Sequence, residues 1–177
     1  MRCIELLNEE HCLVLRLLKL IKAMGREAAS KQTLAGNDIK RVVDLLDAFL
    51  DSAHELKEES ALFPVLIQRA GPEAHEKLKS RVFEHDQERS LSKGMREAIS
   101  TRNDNDLAWC AERLTDFLAE HVREEYLLFG EFQSLLESGD DVKIVREFNK
   151  IDATLRPNAK EVSAIVEELE TKYPAAA

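Results

Sequence analysis

Apolar residues recur at spacings of three and four along almost the whole chain, and this periodicity limits the fold more than any other feature of the sequence. Residues three and four apart share one face of an α-helix. Near the N-terminus the stripe contains Ile4, Leu7, Val14, Leu18 and Ile21. Glycine and proline, which interrupt helices, number only six and four among 177 residues,. The sequence therefore predicts an all-α protein.

Glycine, proline and polar residues divide the periodic sequence into four long segments and a shorter tail. Short connections between the long segments favour antiparallel neighbours, so we predict an up-down-up-down four-helix bundle with additional C-terminal helices. We expect residues 1–177 to form a single domain,. Pro64 lies late in the second segment, where its missing N–H predicts a kink or an early end. Either Asn103 or Asp104 is expected to cap the fourth helix. The bundle is predicted over about residues 2–138 and the C-terminal extension over about residues 140–172.

Charge and cysteine content narrow the classes of function. The net charge of −9 argues against binding to nucleic acid or to acidic membrane surfaces, which need patches of lysine and arginine. The N-terminus lacks the apolar run of a signal peptide, and no segment of the sequence is long and apolar enough to span a membrane. We therefore expect a cytoplasmic protein whose three cysteines are free thiols.

Four of the five histidines lie in the middle of the predicted helices, one on each: His11, His54, His85 and His121. Each continues the apolar stripe of its helix, so each should point into the bundle, where a buried imidazole needs partners. Counted from the predicted turns at a rise of roughly 1.5 Å per residue, neighbouring histidines agree in level within about 5 Å. We therefore predict that the four histidines meet. His75, near the start of the third helix, is expected to be exposed.

Two of these histidines are followed one helical turn later by a glutamate, in His54-x-x-x-Glu58 and His121-x-x-x-Glu125. Positions i and i+4 share a helix face, so both glutamates should also point inward. Burying an unpaired carboxylate costs several kcal/mol, and a pair of divalent cations would remove that cost. Imidazole and carboxylate ligands suit Fe, Mn or Zn. The alternative is a buried polar network without metal.

Taken together, these residues resemble the hemerythrin-like (HHE cation-binding) family over about residues 5 to 135,. The resemblance implies a non-haem diiron centre in which an oxygen atom bridges two iron ions. His11 and His54 would then serve one iron and His85 and His121 the other. Glu58 and Glu125 would bridge the two.

The sequence departs from oxygen-carrying hemerythrins at one position, where Arg89 replaces a second histidine one turn after His85. The loss of a ligand leaves more open coordination positions, which puts simple oxygen carriage in doubt. It favours reaction with oxygen, peroxide or nitric oxide, or a role in iron handling or redox sensing. Glu55 could fill one open position, as in some relatives. Glu124 competes with Glu125, although the spacing from His121 favours Glu125.

Two other classes of function stay open at this stage. A metal-free helical bundle could serve as a signalling or interaction module, for example in histidine phosphotransfer, for which His75 is the candidate residue. A protein that stores zinc or binds it as a structural ion is the second class. The sequence does not decide whether the protein is an enzyme, and it gives no oligomeric state.

Overall fold

The fold is built from helices throughout the part of the chain that the structure describes. The computed structural model describes residues 1–30, 36–154 and 157–174. No strand occurs within these ranges, so the predicted all-α class is confirmed. The six helices are α1 (Arg2–Ala29), α2 (36–70), α3 (Pro72–Thr101), α4 (Asp104–Phe132), α5 (Ser138–Thr154) and α6 (Ala159–Lys172).

The connections on either side of α3 are very short, and their residue types explain why. Gly71 separates α2 from α3 with a positive φ of 74°, a conformation that glycine adopts without strain. Pro72 follows at the first position of α3, where its missing N–H has no consequence. Asn103 caps α4, because its side chain accepts a hydrogen bond from the backbone N–H of Asp106. Of the two caps predicted for this helix, Asn103 is therefore the one used.

Helix α2 departs from regular α-geometry twice. In these two wide π-turns a backbone N–H bonds to the carbonyl five residues back, as from Glu55 to Leu50 and from Phe63 to Glu58. The early end predicted at Pro64 is wrong, since the helix continues to Ala70. The departure takes the form of a π-turn immediately before the proline. The segments of α2 are Gly36–Phe49, a π-turn over Leu50–His54, Glu55–Lys57, a second π-turn over Glu58–Leu62, and Phe63–Ala70.

Two separate clusters of buried apolar side chains hold the helices together. The first joins α1, α2, α3, α4 and α6, with Leu17, Leu46 and Val166 among its members. The second contains Leu7, Leu66 and the α5 residue Phe148. On α1, α2 and α3 the predicted histidine lies in the stretch of chain between the residues of the two clusters, and on α4 His121 directly precedes Val122, the last residue of the first cluster on that helix. A polar layer therefore separates two apolar regions.

None of the helices in the described residues has the length and apolar character needed to cross a lipid bilayer.

Candidate metal centre

The four histidines predicted to meet lie together in the polar layer. The rings of His11 and His54 are 4.6 Å apart and those of His85 and His121 are 5.1 Å apart, measured between centroids. All four residues are at most 6% exposed. Two pairs of imidazoles from four helices thus face the same buried space.

Glu58 is fully buried between the two pairs of histidines. Its Oε1 atom lies 3.3 Å from Nε2 of His54 and 4.0 Å from Nε2 of His11. Its Oε2 atom lies 3.5 Å from Nε2 of His85. The two oxygens of one carboxylate therefore face different histidine pairs, as a bridging ligand requires.

Glu125 is the second fully buried carboxylate of the layer. Its Oε2 atom lies 3.2 Å from Nε2 of both His11 and His121, and its Oε1 atom lies 3.9 Å from Nε2 of His85. Two groupings of potential ligand atoms result, and Glu125 belongs to both. They are His11, His54, Glu58 and Glu125, and His85, His121 and Glu125.

Three further glutamates bind the outer nitrogens of the histidines, and the sequence analysis missed them. The Nδ1–H of His54 donates to Glu10 at 3.0 Å. The Nδ1–H groups of the other two histidines donate in the same way, from His85 to Glu59 at 2.7 Å and from His121 to Glu84 at 2.8 Å. Carboxylates accept hydrogen bonds, so Nδ1 carries the hydrogen and Nε2 faces the centre, as in many metal sites. Each of these glutamates is adjacent in sequence to a predicted ligand, which is the only signal that could have found them.

A basic side chain lies close to each of these outer glutamates. The ammonium of Lys57, a residue only 2% exposed, binds Glu10 and lies 2.6 Å from Asp152. Arg81 donates to Glu84, and Arg89 lies 3.8 Å from Glu59. The outer shell thus consists of ion pairs, which fix the carboxylates that orient the imidazoles.

Several inner atoms have no hydrogen-bond partner at all. They are both carboxylate oxygens of Glu58, Oε1 of Glu125 and Nε2 of His85. Native proteins rarely bury polar atoms without partners, because each such atom loses its hydration. Four imidazoles and two carboxylates are also a donor set that iron, manganese and zinc accept. The residues present therefore fit a metal site.

The electrostatics of the inner residues point the same way. Burial raises the pKa of Glu58 to about 8, and the nearby charge of Glu125 adds to the effect. Burial alone would lower the pKa of His85, but the carboxylates of Glu125 and Glu58 outweigh it and raise the value to about 11. Without a cation the layer thus retains protons, which are the charges that a metal ion would replace.

The remaining predicted residues lie at the edge of the layer or outside it. Glu55 is buried, and Arg89 donates a hydrogen bond to its carboxylate. Arg89 therefore faces acidic neighbours at the position where oxygen carriers have a histidine. Glu124 is partly exposed and pairs with Arg81 at 2.6 Å, whereas Glu125 lies in the centre. His75 is exposed.

A family model described as the hemerythrin HHE cation binding domain matches residues 3–132. That span contains all four buried histidines and both inner glutamates. No curated protein and no solved structure shows a significant match to the chain.

Proposed function

The chain belongs to the hemerythrin HHE cation-binding family, and on that premise we propose that it binds two iron ions in its polar layer. The observation that carries the proposal is the set of buried inner atoms without hydrogen-bond partners, above all the two oxygens of Glu58. A buried carboxylate that faces imidazole nitrogens on both sides is stabilised most simply by cations.

We assign the ligands from the distances between the inner side chains. His11 and His54 would hold one ion, and His85 and His121 the other. Glu58 and Glu125 would bridge the ions, since each approaches both histidine pairs. Glu55 remains a candidate for an additional ligand. Manganese or zinc would fit the same donors.

Two iron ions held here would supply electron exchange and open coordination positions for oxygen, peroxide or nitric oxide. The chain itself contributes three things. The outer glutamates fix the orientation of three imidazoles. The two apolar clusters above and below the layer limit the access of water. Arg89 lies at the position where oxygen-carrying hemerythrins have a further histidine, and its guanidinium cannot bind a metal ion. This difference favours reaction or sensing over oxygen carriage.

We further propose that the four long helices alternate in direction and that residues 1–177 form one domain. Only Gly71 separates α2 from α3, and only Arg102 and Asn103 separate α3 from α4. Connections this short favour antiparallel neighbours. The C-terminal helices α5 and α6 add buried side chains to the two apolar clusters of the bundle.

The first test is the metal content of protein purified from iron-replete cells. We expect about two iron ions per chain, and we expect His54→Ala and Glu58→Ala to lose most of the metal. His75→Ala is the matched control, because it removes an exposed histidine from the same chain and should keep the metal. A folded wild-type protein without metal would contradict the proposal and favour a metal-free interaction module. Elemental analysis separates iron from zinc and manganese.

The second test concerns the small molecule. The reduced, iron-loaded protein is exposed in turn to oxygen, hydrogen peroxide and nitric oxide while its absorption spectrum is recorded. We expect at least one of them to produce a new band in the near-ultraviolet or visible range, and Glu58→Ala to show none. A spectrum that none of the three changes would leave metal binding in place but contradict the proposed reaction.

A further inference from the structure

Glu88 is a buried carboxylate that the proposed dimetal centre does not use. It lies on α3 and is 1% exposed, and neither of its oxygens has a hydrogen-bond partner. Burial raises the pKa of Glu88 to about 8, and the charges of Glu55 and Asp51 add to the shift. A carboxyl group in such a place is destabilised unless something else compensates its charge.

Two more carboxylates surround Glu88. Asp51 and Glu55 lie four residues apart on α2, and an oxygen from each comes within 4.8 Å of the other and of an oxygen of Glu88. The exposure of these residues falls from the surface inward: the side chain of Asp51 is 37% exposed and that of Glu55 is 3% exposed. The cluster therefore extends from solvent into the protein beside the polar layer.

Within the described residues, Arg89 is the only cation bonded to this cluster, and it neutralises only part of the cluster's negative charge. Arg89 donates one hydrogen bond to Asp51, at 2.6 Å, and one to Glu55. Glu88 accepts none. Arg89 also donates to Asp86 at 2.9 Å, so its charge is shared beyond the cluster. The three carboxylates therefore keep at least two uncompensated negative charges when all are ionised, enough for one divalent cation.

We propose that Asp51, Glu55 and Glu88 form a third cation site beside the histidine-containing centre, that Glu55 serves this site rather than that centre, and that the site binds a hard divalent ion such as Mn²⁺. Its ligands are all carboxylate oxygens, which suit Mg²⁺, Ca²⁺ and Mn²⁺ better than softer metals. No imidazole takes part, so binding is weaker and more readily reversed than at the dimetal centre. This proposal rests on the proposed function only in that the third site lies next to the dimetal centre.

The test is a titration of the purified protein, with its iron in place, with Mn²⁺. Hydrated Mn²⁺ gives an electron paramagnetic resonance signal that diminishes on binding, so the signal counts bound ions. We expect wild type to bind one Mn²⁺ ion per chain at this site. The Glu88→Gln variant should bind that ion at least tenfold more weakly than wild type. Glu97→Gln is the control: it removes the same charge from an exposed position of the same helix and should bind as wild type does.

Asp51→Asn is the second variant, because Asp51 is near the surface and its substitution should not disturb folding. We expect it also to weaken Mn²⁺ binding. The site is overturned if Glu88→Gln and Asp51→Asn bind like Glu97→Gln, or if wild type binds no Mn²⁺ that depends on Glu88. Iron is measured before and after each titration, so loss of the dimetal centre is recorded separately from loss of the third site.

Discussion

Glu10, Glu59 and Glu84 each bind a histidine on the next helix of the chain. The contacts run from α1 to α2, from α2 to α3 and from α3 to α4. Each contact fixes which ring nitrogen carries hydrogen and which way the other nitrogen points. The geometry of the inner layer thus depends on residues that would never touch a metal.

The contribution of this outer shell can be measured at Glu10. Glu10→Gln keeps the shape of the side chain but removes the charge that His54 and Lys57 contact. We expect the affinity for metal to fall roughly 10- to 100-fold, as for other outer partners of ligating histidines. Competition with a chelator of known affinity measures the change. Glu9→Gln, in the exposed neighbour that pairs with Arg2, is the matched control, and equal affinities for the two variants would contradict the prediction.

Sequence reasoning could find the inner residues but not the outer ones. His54 and Glu58 continue an apolar stripe, and a polar residue on such a stripe stands out. Glu59 and Glu84 lie at the edge of the stripe, where glutamate is ordinary on a soluble helix. Only the packing of one helix against the next gives them their partners. Glu88 was also missed, although it lies three residues after His85 and is buried.

Among the helices, α2 is the one whose shape the sequence did not reveal. Hydrophobic periodicity assumes a constant turn, and it carries no sign of the two π-turns. Four of the five residues from 54 to 58 are buried, with only Leu56 exposed, whereas a regular helix buries one face. The burial of Lys57 therefore went unpredicted, and that of Glu55 was expected only if it served as a metal ligand. π-turns inside helices often lie at functional sites, and here they contain the inner residues His54 and Glu58 and the outer residue Glu59.

The close approach of α1 and α4 gives a prediction at the scale of helix packing. A Cβ atom at Gly25 would lie 2.7 Å from Cβ of Ala111, whereas one at Gly130 would meet nothing within 4 Å. We expect Gly25→Ala to lower the free energy of unfolding by about 1–3 kcal/mol through overpacking. Gly130→Ala should raise it by up to about 1 kcal/mol, because alanine favours the helix.

Urea unfolding of both variants measures the two changes. Each variant is a control for the other, since the substitution is the same and only the surroundings differ. Stabilisation of equal size in the two variants would show that α1 and α4 are farther apart at Gly25 than 2.7 Å implies.

Across the whole molecule, a polar layer divides what the sequence alone would suggest is one continuous core. The all-α class followed from periodicity, whereas the division into two apolar clusters could not, because it depends on which helices meet at each level. The direction of the four helices and the single-domain organisation remain predictions. The layer makes stability depend on what occupies it, because its inner atoms lack partners without a cation.

Removal of metal should therefore destabilise the protein, and more so as the pH rises from 7 to 9. Without metal, Glu58 has a folded-state pKa raised to about 8, and that of His121 is raised to about 9. A raised pKa means that the folded state holds protons that the unfolded state has released, so stability falls as the pH rises through these values. The lowered pKa of His54 acts below this range. Bound metal replaces those protons, so the loaded protein should lose less stability.

The measurement is the midpoint of thermal unfolding of loaded and chelator-treated protein at pH 7 and pH 9. Ligand bound only to the folded state at 100 times its dissociation constant stabilises it by about 2.7 kcal/mol, which is a shift of several degrees for a chain of this size. We expect the gap between the two midpoints to widen at pH 9. Glu58→Ala, which should not hold the metal, should show no gap at either pH. A gap that narrows at pH 9 would mean that protons do not occupy the place of the cations in the metal-free layer.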